Sequence, residues 1–90
     1  MNKVVFLLLV SFSVFSQTGI GTTTPNASAK LEVYATNKGF LPPRIALTGA
    51  TDASTIASPV AGLLIYNSAT AGTAPNNVVP GYYYWNGASW

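Results

Sequence analysis

The chain has 90 residues, 49% of them hydrophobic and only 7% charged, with a formal net charge of +2 and neither His nor Cys. Disulfides and thiolate or imidazole metal sites are therefore excluded, as is nucleophilic catalysis by a Cys or by a His-activated Ser. So weak a charge provides no field to draw in nucleic acid or anionic lipid, so neither is expected as a partner.

Met1-Asn2-Lys3 is followed by an apolar run from Val4 to Phe15, interrupted by Ser11 and Ser13. A basic start, an apolar middle and small residues at Val14 and Ser16 predict a helical secretory signal peptide over 1–16, cut between Ser16 and Gln17. The run spans about 18 Å as a helix at roughly 1.5 Å per residue. A bilayer core of about 30 Å needs more, which argues against a permanent span. Contact with a membrane is expected only through this segment before cleavage, and the product is expected outside the cytoplasm, extracellular or at a bacterial cell surface.

Residues 17–90 then form one short module. Lys30, Lys38 and Arg44 stand against Glu32 and Asp52, one positive charge in excess. A chain of this size buries about 60% of its unfolded surface and is marginal alone. Without cross-links or metals, self-association is the remaining way to cover its apolar side chains.

Gln17 to Asn26, with Gly19, Gly21 and Pro25, predicts an extended, turn-rich start. Leu31, Val33 and Ala35 alternate with Lys30, Glu32 and Tyr34, the period of a half-buried strand. Asn37-Lys38-Gly39 predicts a turn. Pro42-Pro43 excludes a helix or a central strand, so Phe40 to Ile45 is expected to be extended, with Phe40, Leu41 and Ile45 packed. Thr51 or Asp52 has the chemistry to cap one or two helical turns ending before Pro59.

Val60 to Asn67 is the strongest strand signal. Ser68 to Pro80 is a loop by composition. Tyr82-Tyr83-Tyr84-Trp85 predicts a second strand, and Asn86-Gly87 a tight hairpin leading into Ala88-Ser89-Trp90. A return strand of three residues predicts a fragment of a longer protein or a truncated reading frame. The fold class expected is mainly β: an extended, strand-rich fibre or head module with a β-hairpin near the C-terminus.

Four blocks carry a family resemblance. The first is Gly19-Ile20-Gly21-Thr22-Thr23-Thr24-Pro25 with Ala29-Lys30-Leu31-Glu32-Val33. The second is Lys38-Gly39-Phe40-Leu41-Pro42-Pro43-Arg44-Ile45, and the third Pro59 to Asn67. The fourth is Tyr83-Tyr84-Trp85-Asn86-Gly87-Ala88-Ser89-Trp90. In this order they resemble the N-terminal segment of bacterial secreted fibre-type surface proteins, and are similar to phage tail-fibre and related trimeric β-fibre modules. The resemblance implies a homotrimeric, structural stalk or head segment at the cell surface, with further fibre beyond it. The loop Ser68 to Pro80 is longer than the connection usual in that family. The family supplies no catalytic residues to carry over.

The candidate sites are few. Glu32 and Asp52 are the only carboxylates for acid–base work, and they read better as a solvated strand charge and a turn cap. Gly19-Ile20-Gly21 lacks the third glycine and the lysine of a phosphate loop. Asn26-Ala27-Ser28 fits a glycosylation sequon but reads as a turn. Carbonyl and carboxylate ligation of calcium is conceivable only around Asp52. No enzyme activity, cofactor or metal is expected.

The aromatic cluster Tyr82, Tyr83, Tyr84, Trp85 and Trp90 is the main candidate surface. Strand alternation puts Tyr82 and Tyr84 on one face and Tyr83 and Trp85 on the other. One face is expected to pack on Leu63 and Ile65, or on Leu64 and Tyr66. The other is free for a protomer contact or for stacking on surface glycans. The leading expectation is a secreted, adhesin-like fibre module. It would bury Leu31, Val33, Phe40, Ile45, Leu63, Ile65 and the Tyr/Trp strand between copies. A carbohydrate-binding module built on Tyr82 to Trp90 is the alternative.

Overall fold

A computed structural model describes residues 17–90. The signal-peptide helix assigned to 1–16 lies outside the described residues. The chain divides into two compact units, Met1–Gly39 and Phe40–Trp90. Its described residues form five short strands and no helix, in keeping with the mainly β expectation.

In the first unit β1 (Thr18–Ile20) pairs in parallel with β2 (Leu31–Val33). The register sets Thr18 beside Leu31 and Ile20 beside Val33. The loop between them is tied from within. Asn26 N–H donates to Glu32 Oε1 at 2.7 Å, and the Asn26 side-chain oxygen accepts from Ser28 N–H and Oγ–H. Gly21 has φ 80° and its Cα lies against the Tyr34 carbonyl, so a side chain there would meet backbone. Asn26 thus makes the turn expected of it. Glu32, by contrast, is half-buried and braces the loop instead of facing water as a strand charge.

The alternation in β2 is present but its sense is reversed. Leu31 and Val33 are exposed, as is Ile20 next to Val33. Among the described residues of this unit none is buried. A two-stranded sheet has no second layer of its own. Periodicity identified an apolar face correctly, but the described residues leave that face uncovered.

The second unit is a three-stranded sheet in the order β3-β4-β5, built from Arg44–Ile45, Leu64–Asn67 and Gly81–Tyr84. β3 runs parallel to β4, and β4 antiparallel to β5. The predicted strand at Val60 is shorter than expected, since Gly62 takes φ 95° and a turn occupies Ala61-Gly62. Phe40 and Leu41 are exposed; of the three residues expected to pack, Ile45 alone does so.

The core lies on one face of this sheet. Leu47, Ile65 and Val78 are buried together, with Ile45, Ala50, Ile56, Ala71, Tyr83 and Trp90 packed around them. Two of these residues come from segments read as irregular, Leu47 after β3 and Val78 in the long loop. That loop folds back on itself through an Ala71–Val78 bridge. Gly72 has φ 85°, and a side-chain carbon there would lie 3.2 Å from Gly49 Cα, so the turn needs glycine to pack against the Gly49 segment.

Asn67 holds three segments to the end of β4. It is fully buried, and its amide is satisfied on every side. Its Oδ1 accepts from Leu47 N–H at 3.0 Å and Ala69 N–H at 3.1 Å. Its Nδ2 donates to the carbonyls of Ala69 and Val79, both at 2.8 Å. A buried amide meeting all these needs stabilises; one that lost a partner would cost the full desolvation of that group.

The helical turns expected after Thr51 do not form. Asp52 does behave as a cap: Oδ1 accepts from Ser54 and Thr55 N–H at 3.0 Å each. The chain then makes only turns over 54–57, and Ser58 at φ 49° precedes Pro59 and ends them. The Asn86-Gly87 hairpin is also corrected. Only Gly87 has a positive φ, while Asn86 Oδ1 accepts from Ala88 and Ser89 N–H at 2.8 Å. The turn closes on itself, and no return strand follows among the described residues. The hairpin partner of β5 is β4.

Candidate functional site

The two faces of the β3–β5 sheet differ in what covers them. Register puts Ile65 beside Tyr83 on the core side, where Trp85 is buried too. It puts Leu64 beside Tyr84 and Tyr66 beside Tyr82 on the opposite side. Arg44 sits beside Tyr66 in the parallel pair and is exposed. On this outer side Tyr82 is 59% exposed, Tyr84 62% and Leu64 47%.

The packing of the outer side follows from the hydrogen-bond pattern. Trp85 N–H donates to the Leu63 carbonyl at 2.9 Å. Antiparallel pairs alternate between bonded and non-bonded, so Tyr82–Tyr66 and Tyr84–Leu64 are non-bonded pairs, whose side chains approach most closely. Tyr66 and Tyr82 accordingly meet edge to face, centroids 5.1 Å apart at 79°. The result is a low-charge, ring-lined stripe with its tyrosine bodies uncovered.

The five aromatic residues singled out from the sequence therefore separate. Tyr82 and Tyr84 lie on the open face. Tyr83 is half-buried on the core side, and its hydroxyl accepts from Val79 N–H at 3.1 Å. Trp85 is buried, and Trp90 packs against it at 5.2 Å and 62°. Trp90 N–H reaches the Ala50 carbonyl at 2.7 Å and its Nε1–H the Asp52 carbonyl at 2.6 Å. Both tryptophans are thus committed to holding the second unit together. Leu64 and Tyr66, weighed from the sequence only as packing partners, complete the open stripe.

Asp52 has no free oxygen to offer a ligand. Besides Ser54 and Thr55 N–H, it accepts from Thr48 N–H at 3.0 Å, Thr55 Oγ1–H at 2.6 Å and Ser54 Oγ–H at 3.2 Å. The Thr55 hydroxyl and then the Thr55 N–H hold its carboxyl far below the usual carboxylate range, with Thr48 and Ser54 adding to them against the opposing effect of burial. It is an anchor for the 48–55 turn. Glu32 belongs to the other unit, so the two carboxylates lie in separate folded units, each taken up by backbone donors.

Exposed apolar faces of this kind mark interaction surfaces. No curated protein and no solved structure matches the chain. Residues 19–90 match the family described as phage tail like trimerisation region, a match that takes in all of β2 to β5 and most of β1. The chain therefore belongs to the phage tail-like trimerisation region family, a tail-fibre-like structural module that assembles as a homo-oligomer of three.

Proposed function

We propose that this chain is an exported, non-catalytic module of a surface fibre, and that three copies join through the outer face of the β3–β5 sheet. The observation that carries the reading is the contrast between the two sides of that sheet. One closes on Leu47, Ile65 and Val78, while the other leaves Leu64 nearly half exposed and Tyr82 and Tyr84 more than half. Each copy would bring the same stripe to a common axis. The exposed Ile20, Leu31 and Val33 of the first unit would be covered in the same assembly.

Export is supported by the Lys3, Val4–Phe15 and Ser16 pattern. Absence of catalysis is supported by the lack of His and Cys and by two carboxylates already engaged by backbone donors. An adhesin-like role follows if the trimer stands at the cell surface as part of a longer fibre. Surface-restricted biotinylation of the producing cell, followed by chemical cross-linking, tests the whole reading. The expected result is labelled material with cross-linked trimers; unlabelled material retained in the cytoplasm as single chains would refute it.

The alternative of a glycan contact would have Tyr82 and Tyr84 as its platform, since both tryptophans are engaged elsewhere. Sugar retention by the assembled protein, lost in Tyr82→Ala, would favour that reading over a protomer contact.

A further inference from the structure

The two outer edges of the β3–β5 sheet are built differently. β3 is only two residues long, begins with the charged Arg44 and follows directly on Pro42-Pro43, which have no N–H to offer. Prolines, charge and shortness are the usual ways of blunting a sheet edge. β5 is twice as long, carries no charge and reads Gly-Tyr-Tyr-Tyr; its one proline, Pro80, stands before the strand and leaves the Tyr82 and Tyr84 N–H groups in place. The Trp85 N–H bond to Leu63 fixes which of its backbone groups face β4. By alternation those of Gly81 and Tyr83 point inward, and the N–H and C=O of Tyr82 and Tyr84 point away from the sheet. Among the described residues these outward groups have no hydrogen-bond partner.

The same two residues thus supply the exposed rings of the outer face and the open backbone groups of the edge. A second copy that covers the rings of Tyr82 and Tyr84 has the open backbone groups of the same two residues next to it. We propose that the edge of β5 is a seam in the trimer, where Tyr82 and Tyr84 pair backbone to backbone with a strand of a second copy. This rests on the trimeric reading above. The geometry also limits the partner strand. Two β5 edges pairing antiparallel with each other would form a twofold contact, which uses up the edge and gives a dimer. A closed ring of three requires two different patches, so the partner strand is an element other than β5. Augmentation of this kind supplies main-chain bonds along an edge, while the rings fix the register.

Amide hydrogen exchange on the purified chain, read residue by residue at a concentration where it is trimeric, tests the proposal. Tyr82 and Tyr84 amides are expected to exchange roughly 100-fold more slowly than in an unstructured chain, close to Tyr83 and Trp85. A trimer in which they exchange within about tenfold of the unstructured rate has an open edge, and the proposal is wrong. Tyr84→Pro compared with Tyr84→Ala gives an independent reading. Both remove the ring, but only proline removes the outward N–H, which an edge position tolerates. Association of the proline variant is expected to be at least about tenfold weaker than that of the alanine variant, with the near-ultraviolet signal of Trp85 and Trp90 retained. Equal association would overturn the seam. If proline unfolds the unit, the exchange data decide. A parent chain that stays single at every concentration refutes the trimeric reading itself, and one that stops at a dimer refutes the heterologous contact.

Discussion

Tyr84→Ala separates the strength of assembly from the strength of the fold. Tyr84 is 62% exposed in the single chain. On a side chain of about 200 Å² that leaves roughly 120 Å² to be covered by other copies. At about 25 cal/mol per Å² the transfer is worth about 3 kcal/mol, and discounting the hydroxyl and the alanine methyl leaves about 2 kcal/mol. A trimer contains the change three times, so it loses about 6 kcal/mol. Dissociation into three chains depends on the square of concentration, so the midpoint shifts by half of that, about 3 kcal/mol or roughly 100-fold. The fold should barely respond, because substitutions at exposed sites away from caps and cores stay within about 0.5 kcal/mol. Sedimentation equilibrium over a dilution series measures the midpoint, and thermal unfolding of the dilute chain measures the fold. An unmoved midpoint would show that this face is not between copies. A large loss of stability at high dilution would show that Tyr84 is part of the core of its own chain.

Three further substitutions test the interior of the second unit. Asn67→Asp keeps the acceptor for Leu47 and Ala69 N–H but sets an oxygen against the carbonyls of Ala69 and Val79. A loss of about 3 kcal/mol or more is expected in denaturant unfolding, partly recovered in acid as the new carboxyl protonates. Asp52 in the parent chain has the opposite dependence. Its folded carboxyl is held below its unfolded value by Thr55 and its neighbours, so its contribution is complete above about pH 4 and is lost as pH falls through the acid range. Asp52→Asn should be less stable at neutral pH by about 2 kcal/mol and should flatten the acid limb of a stability–pH profile. Gly72→Ala should destabilise by more than about 1 kcal/mol, because φ is 85° and the new methyl would sit 2.7 Å from the Asn76 carbonyl oxygen.

Local pattern located β2, β4 and β5, read β1 and β3 only as extended chain, and left open what each face meets. Leu64–Asn67 and Gly81–Tyr84 fall inside runs readable from β-branched and aromatic content, and alternation sorted Tyr82 and Tyr84 from Tyr83 and Trp85. In β2 the same alternation pointed to a buried side that the described residues do not bury, because periodicity is silent about whether a neighbour or another copy provides the cover. The one or two helical turns expected before Pro59 came from a true capping residue, Asp52, followed by too few residues before Ser58 and Pro59. The hairpin at Asn86-Gly87 failed because the Asn86 side chain closes the turn locally, leaving Trp90 free to dock on Ala50 and Asp52. Asn67 was invisible as an organiser because its partners at 47, 69 and 79 are scattered along the sequence. Leu64 and Tyr66 were readable as strand residues, but only the register shows that they share a face with Tyr82 and Tyr84.

The central claim is that one side of the β3–β5 sheet is closed by its own chain and the other by copies of it. Isotope-filtered NMR on trimers assembled from labelled and unlabelled chains reads this contact directly. Intermolecular contacts should connect the rings of Tyr82 and Tyr84 and the methyls of Leu64 to the other copies, and should be missing from Ile65 and Trp85. Intermolecular contacts at Ile65 and Trp85, with Tyr82 and Tyr84 touching only solvent, would contradict the account.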